Sequence, residues 1–274
     1  MVLLAGQADL KSDQCHPQTP FFKEPLTRYV VAFRSRQVRE GWTPRGISPQ
    51  VAIRRIEWTS AETMKISAVI PAHNEERTIG EIVQGCRRYC EEVIVVDDAS
   101  TDMTSQIARA AGAKVIHNPA NLGFVRSTEI GLKSASQEII VTLDADGQHD
   151  PYEIPDLVRP IVEDRADLVL GKREHDRPLS ERLLSAMISG RVECEDVGTG
   201  YRAFRRNLAH SMRLWGFCLC GSLVLEAQRS GARIAEVPIA IKPRLAGRSH
   251  WAFPFSRAVV HCKQAMLLIR HMAG

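Results

Sequence analysis

The sequence predicts an α/β fold, with a mainly parallel central sheet flanked by helices and an N-terminal extension ahead of it. Three observations lead there. Short runs rich in Val and Ile alternate with segments whose apolar residues recur at three- and four-residue steps. Polar clusters sit at the ends of the strand runs, where the ligand crevice of a parallel sheet lies. The 274 residues suffice for one large domain, or for a domain with an appendage.

The chain divides near residue 63. Before it, prolines and scattered arginines interrupt every periodic pattern, so residues 1–63 read as an extension and 64–274 as the domain. Ile66-Ser67-Ala68-Val69-Ile70 is a buried-strand run ending at Pro71. Asn74 is placed to cap a helix carrying Ile79, Ile82, Val83 and Cys86. Glu92-Val93-Ile94-Val95-Val96 forms a second strand, and a Ser100/Thr101 cap opens a helix that stops at Gly112. Lys114-Val115-Ile116 is a third strand, a helix lies within 122–135, and 138–143 is a fourth strand. A last helix, about 254–272, places Val259, Cys262, Met266 and Ile269 near one face. Packing of that face against the domain is the expectation, with rest on a membrane surface as the alternative.

Composition narrows the function. With 44% hydrophobic and 25% charged residues, the chain is an ordinary globular one. A net charge of +4 excludes a nucleic-acid binder's strongly basic face, yet permits attraction to anionic lipids or phosphorylated substrates. Seven scattered cysteines without repeated Cys-x-x-Cys spacing read as buried free thiols, which suits the cytoplasm. The N-terminal residues lack a signal-peptide pattern, and no run reaches the roughly 18 apolar residues that span a bilayer. A soluble or peripheral protein on the cytoplasmic side is expected.

The chemistry concentrates at strand ends. Asp144-Ala145-Asp146 follows a strand, and alternation points both carboxylates to one side, where they suit Mg2+ or Mn2+ shared with a diphosphate. Gln148 continues that alternation as a further carbonyl or water-mediated ligand. Asp97 and Asp98 close the second strand, placed to accept hydrogen bonds from a base or ribose, or to serve as cap and loop acids. Neither a Gly-x-Gly-x-x-Gly nor a Gly-x-x-x-x-Gly-Lys-Ser/Thr motif is present, which argues against dinucleotide and P-loop readings.

Val69-Ile70-Pro71-Ala72-His73-Asn74-Glu75-Glu76, then Val95 to Asp102, then Leu143 to Pro151 appear in the order seen in family-2 glycosyltransferases. Gly171-Lys172-Arg173, Asp196 to Arg202, Glu236-Val237-Pro238-Ile239, Arg244 and Gly247-Arg248-Ser249-His250 resemble the dolichol-phosphate mannosyltransferase (polyprenyl-phosphate glycosyltransferase) branch in particular. The resemblance implies a GT-A fold and an inverting transfer from a UDP- or GDP-sugar. Pro71, Glu75 and Asp98, with Asp97, would cradle base and ribose, with Asp144 beside them. Asp144, Asp146 and Gln148 would hold the metal. Arg173, Arg202 and Arg244, with His250, would face phosphate groups, a role that suits guanidinium forks. Asp196 is the positional candidate for a general base, needed for a hydroxyl acceptor and dispensable for a phosphate anion. The favoured acceptor is a polyprenyl phosphate; a soluble phosphorylated metabolite or glycan, or a non-catalytic nucleotide-sugar binder, are the alternatives. Three features depart from the branch. A Gly-x-Ser-Lys ending becomes Gly247-Arg248-Ser249-His250, Ser222 replaces an acidic residue before Leu223, and the stretch between Arg173 and Asp196 is short.

Overall fold

The computed structural model describes residues 65–173, 177–244 and 254–273. The N-terminal extension and His250 lie outside them. Within the described residues the chain runs β1 (Ile66–Ala72), α1 (Ile79–Cys86), β2 (Glu92–Asp97), α2 (Thr104–Ala110), β3 (Lys114–His117), α3 (Phe124–Ser134) and β4 (Ile139–Thr142). It continues through α4 (Ile154–Val162), β5 (Leu168–Arg173), α5 (Leu179–Ser189), β6 (Arg202–Arg205), α6 (Arg206–Ser211), α7 (Ser222–Arg229), β7 (Ile234–Ile239) and α8 (Pro254–Ala273).

The seven strands form one sheet in the order β3-β2-β1-β4-β6-β5-β7. β1 pairs in parallel with β2 and β4, β2 with β3, and β5 with β7. β6 runs antiparallel between β4 and β5. The parallel strands end at one edge of the sheet, and β6 begins there, so Arg202 at its start joins residues at the ends of the others.

Strand alternation divides the core into two layers. Val69, Ile94, Val96, Ile140, Leu168 and Leu170 face one side and pack with Leu132 of α3. Ile70, Val95, Val141 and Val169 face the other and pack with Ile79 and Val83 of α1 and Leu157 of α4. All seven residues of β1 are buried, as a central strand covered on both faces requires. Each such Val or Ile removed from water contributes about 1.5–3 kcal/mol before the entropy of ordering is set against it.

Three local expectations need correction. Asn74 caps no helix, for α1 starts at Ile79 after Thr78. Instead Asn74 takes a left-handed backbone (φ 55°), its Oδ1 accepts from Thr101 N (2.8 Å), and its own N–H donates to Ser100 Oγ (3.0 Å). The side chain that would have capped α1 thus laces the loop after β1 to the loop after β2. Those loop contacts also consume Ser100 and Thr101, so α2 begins later, where Asp102 Oδ1 accepts from Thr104 N (2.9 Å). The third correction concerns α8. His261, Gln264 and Leu268 face inward and are buried, whereas Val259, Met266 and Ile269 are more than half exposed and Cys262 is exposed as well. His261 and Gln264 hold this helix to the domain together with Leu268, Val260, Ala265 and Met272, which pack on the core, while the stripe of Val259, Cys262, Met266 and Ile269 faces out.

Gly131 lets α3 lie close on the sheet, since a Cβ there would stand 2.3 Å from Val69 Cγ1 and 3.1 Å from Val96 Cγ2. Gly131→Ala would gain roughly 0.5–1 kcal/mol in helix preference and lose about 1–3 kcal/mol to overpacking. We expect net destabilisation, read as a lower urea midpoint with unchanged slope.

Candidate active site

The site is assembled at the carboxyl edge. Glu75, just beyond β1, is buried, its backbone N–H donating to Thr104 Oγ1 (2.8 Å). Pro71 sits within β1, paired with Val96 and buried in the sheet. At the end of β2, Asp97 and Asp98 are 1% and 4% exposed. Asp97 accepts from Ser100 N (3.0 Å), from the Ser105 hydroxyl and from His117 Nδ1 (2.9 Å). Asp98 accepts from Asn118 Nδ2 (2.9 Å) and from the backbone N–H groups of Leu122 and Gly123 (2.8 Å each). Burial alone would raise both pKa values, but these donors outweigh it and hold both below the ordinary aspartate value. Both carboxylates thus shape the loops at 98–105 and 118–123.

The Asp144–Asp146 pair differs. Asp144 keeps about a third of its side chain open to solvent (36%), and no described N–H or O–H donor bonds its carboxylate. Its carboxylate lies against Gly200, where a Cβ would come within 2.5 Å of both oxygens. Asp146 accepts from Gln148 N (3.0 Å) through Oδ1 and from Arg244 Nη1 (3.1 Å) through Oδ2. Arg244 also reaches Glu75 Oε1 with Nη2 (2.5 Å), so one guanidinium bridges two buried carboxylates. Burial raises the pKa of Asp144 against the pull of Arg202, Arg173 and Arg244. Burial and then Asp144's charge raise Asp146, and burial raises Glu75. Closely spaced carboxylates held against their own repulsion suit a divalent cation, and the residues present fit one. Gln148 stands beside them, with its Nε2 3.4 Å from Lys242 O and its backbone carbonyl accepting from Lys242 N (2.9 Å).

His149 steadies this loop from behind. It is 5% exposed, accepts from Asp144 N at Nδ1 (3.1 Å) and stacks on Tyr201 with ring centroids 5.0 Å apart. Burial pulls its pKa down to about 4, so the ring is neutral at pH 7.

Asp196 needs correction as a general base. It has no exposed surface. Its Oδ2 accepts from Arg173 N (3.1 Å) and Nε (2.7 Å), and its Oδ1 from Arg173 Nη2 (2.8 Å) and Gly198 N (3.2 Å). Arg173 in turn reaches Glu181 of α5 at 2.6 Å. A carboxylate with four donors and no open face is in no position to receive a substrate proton; it positions Arg173. Arg202 is also buried (2% exposed), and its Nε and Nη1 have no hydrogen-bond partner among the described residues. Of the three expected phosphate-facing arginines, Arg173 and Arg244 thus retain partial exposure, while Arg202 lies beneath them.

Sequence patterning did not single out Glu181, His149, Asn118, Gly198 and Gly200. The glycines carried a signal in Gly198-Thr199-Gly200, since a Cβ at either would strike a buried carboxylate of the site. Glu181 carried none, for an acid in an amphipathic helix looks like a solvated one.

An α/β sheet with an acidic pair and arginines at its carboxyl edge defines the nucleotide-sugar transferase class. Residues 67–211 match the sequence model of Glycosyl transferase family 2. The chain belongs to that family and is a glycosyltransferase. It is 29% identical over 211 residues to UDP-N-acetylglucosamine–dolichyl-phosphate N-acetylglucosaminyltransferase of Methanococcus voltae, spanning 64% of this chain and 84% of that protein. It is likewise 29% identical over 216 residues to undecaprenyl-phosphate mannosyltransferase of Micrococcus luteus, spanning 68% and 87%. The crystal structure of Mycobacterium tuberculosis glucosyl-3-phosphoglycerate synthase with Mn2+, uridine diphosphate and phosphoglyceric acid is similar in fold. Its TM-score is 0.63 at 25% identity, covering 76% of this chain and 78% of that one. The fold is GT-A, as the motif order implied.

Asp196→Asn would leave Arg173's charge under-compensated in the interior and should cost about 3–5 kcal/mol of stability. Because the folded-state pKa of Asp196 is lowered, its contribution is complete at neutral pH and is lost as pH falls below about 4. Chemical denaturation across that range should show a shallower acid decline in the variant than in the wild type.

Proposed function

We propose that this enzyme transfers a sugar, with inversion, from a UDP- or GDP-sugar to a polyprenyl or dolichyl phosphate. The observation that carries this reading is the closure of Asp196. With all its oxygens bonded and no exposed surface, it leaves a hydroxyl acceptor without the positional base such an acceptor would need. A phosphate oxygen is already anionic and attacks the anomeric carbon directly as the nucleoside diphosphate leaves. Arg173 and Arg244 are placed to hold phosphate oxygens of acceptor and donor. Asp144 and Asp146, with Gln148 at hand, would hold Mg2+ or Mn2+, which neutralises charge on the departing diphosphate.

A lipid carrier is favoured by the outer surface. α5 joins cleft to surface, with Glu181 bonding Arg173 on one side and Leu179 and Leu183 exposed at 69% and 59% on the other. α5 packs against α8, whose Val259, Met266 and Ile269 stay open, and Lys263 lies over the exposed Phe217 ring (5.5 Å). Apolar side chains fringed by lysine and arginine suit an anionic membrane surface. No helix among the described residues is long and apolar enough to cross a membrane, so attachment would be peripheral. A soluble phosphorylated acceptor is the second reading, favoured by the likeness to glucosyl-3-phosphoglycerate synthase.

Two measurements test this. Calorimetric titration of UDP, GDP and their sugars should reveal one nucleotide whose binding requires Mn2+ or Mg2+, with that binding lost in Asp146→Ala. Absence of nucleotide binding under every metal condition would sink the catalytic reading. Transfer to a short polyprenyl phosphate should rise with anionic vesicles. Ile269→Glu should weaken vesicle partition by about tenfold or more, the equivalent of one lost apolar burial, while nucleotide binding persists. Vesicle-independent transfer to a soluble phosphorylated acceptor would favour the second reading.

A further inference from the structure

A second cluster of metal-ligating side chains lies apart from the acidic pair. Cys218 and Cys220, in the loop between α6 and α7, meet His261 of α8; their ligand atoms all lie within 4.8 Å of one another, and all three residues are buried. We propose that these residues form a binding site for a thiophilic divalent cation, zinc foremost, distinct from the donor-site cation. Zinc takes thiolate sulfur at about 2.3 Å and imidazole nitrogen at about 2.0 Å in tetrahedral array. Ligand atoms around it therefore stand about 3.3–3.8 Å apart, and the 3.9 Å between Cys220 Sγ and His261 Nε2 needs little contraction.

The surroundings are those of a built site. His261 Nδ1 lies 2.7 Å from Ser180 Oγ, a contact that fixes the ring while Nε2 faces the Cys220 sulfur at 3.9 Å. One turn further along α8, Gln264 Oε1 accepts from Phe217 N (2.9 Å) and Cys218 N (3.5 Å), which seats the cysteine loop on the helix that brings the histidine. Gly216 permits this approach, with φ at +100° and no room for a Cβ against Gln264.

The independent observation is Arg202. It is 2% exposed, its Nε and Nη1 have no hydrogen-bond partner among the described residues, and Cys220, Asp144, Asp196 and Cys218 are the groups whose charge acts on it. Neutral thiols are poor acceptors, whereas metal-bound thiolates accept N–H groups readily and carry the charge that a buried guanidinium needs. Cation binding would release the thiol protons to solvent, leave one coordination position for water, and fasten α8 and the cysteine loop behind the donor cleft. Hard Mg2+ and Mn2+ prefer the oxygen ligands of Asp144 and Asp146, so ligand softness separates the two sites.

The test uses the full chain, purified under reducing conditions, stripped with chelator and titrated with Zn2+ and Co2+. One equivalent should bind, and Co2+ should give a thiolate charge-transfer band with the visible bands of a tetrahedral site. Cys218→Ser and Cys220→Ser should abolish the charge-transfer band, and Ser180→Ala should weaken affinity about 10- to 100-fold. Asp146→Ala should leave the zinc stoichiometry intact. The cobalt spectrum of the wild-type protein keeps the proposal testable if a cysteine variant misfolds. Failure of the reduced chain to take up either ion, uptake without thiolate absorption, or loss of uptake in Asp146→Ala alone would each overturn it.

Discussion

Asp196 has no exposed surface, and three bonds from Arg173 with one from Gly198 keep its charge in the interior. Much of the cleft depends on this pairing. Arg173 must leave the end of β5 toward the 194–200 loop, which draws in Glu181 and places α5. The loop must carry glycines, because Asp144, Glu181 and Arg173 fill the space where Cβ atoms would stand. Glu236 of β7 then receives the backbone N–H groups of Glu195 and Asp196 (2.9 and 2.8 Å), tying the loop to the sheet.

The supply of donors likewise distinguishes the acids at the edge. Asp97, Asp98 and Asp196 have internal donors that hold them ionised and tie the neighbouring loops together. Asp144, Asp146 and Glu75 have fewer donors and raised pKa values, offset by Arg202, Arg173 and Arg244 at Asp144, by the Gln148 N–H and Arg244 at Asp146, and by Arg244 at Glu75. A site whose charge is under-compensated by its own side chains is one that gains from binding a cation. Structural and functional carboxylates thus look alike in composition and differ in the number of donors aimed at them.

Antiparallel β6 has a comparable effect on the basic side. Had it run parallel to its neighbours, Arg202 would stand at the opposite edge of the sheet. Reversed, it starts Arg202 at the carboxyl edge of the parallel strands, where the charges of Asp144, Asp196, Cys218 and Cys220 act on the buried guanidinium.

The sequence by itself determined the parallel half of the sheet, the order of its helices and the placing of Pro71, Glu75, Asp144 and Asp146 at one edge, because period-two and period-3.6 patterns and strand-end position are local properties, whereas Arg244 was implied only by the family resemblance. It could not distinguish a carboxylate offered to a ligand from one consumed by the protein. Asp97, Asp98 and Asp196 are decided by donors 20 or more residues away, His117, Asn118, Leu122 and Arg173 among them. Nor could it orient α8, whose apolar stripe looked like a packing face. Tertiary structure turned that stripe outward: on the other side Leu268, Val260 and Ala265 pack on the core, and His261 and Gln264 have partners in Ser180 and the backbone of the cysteine loop. Pairings across distant segments are not written in local periodicity, and burial of charge depends on them.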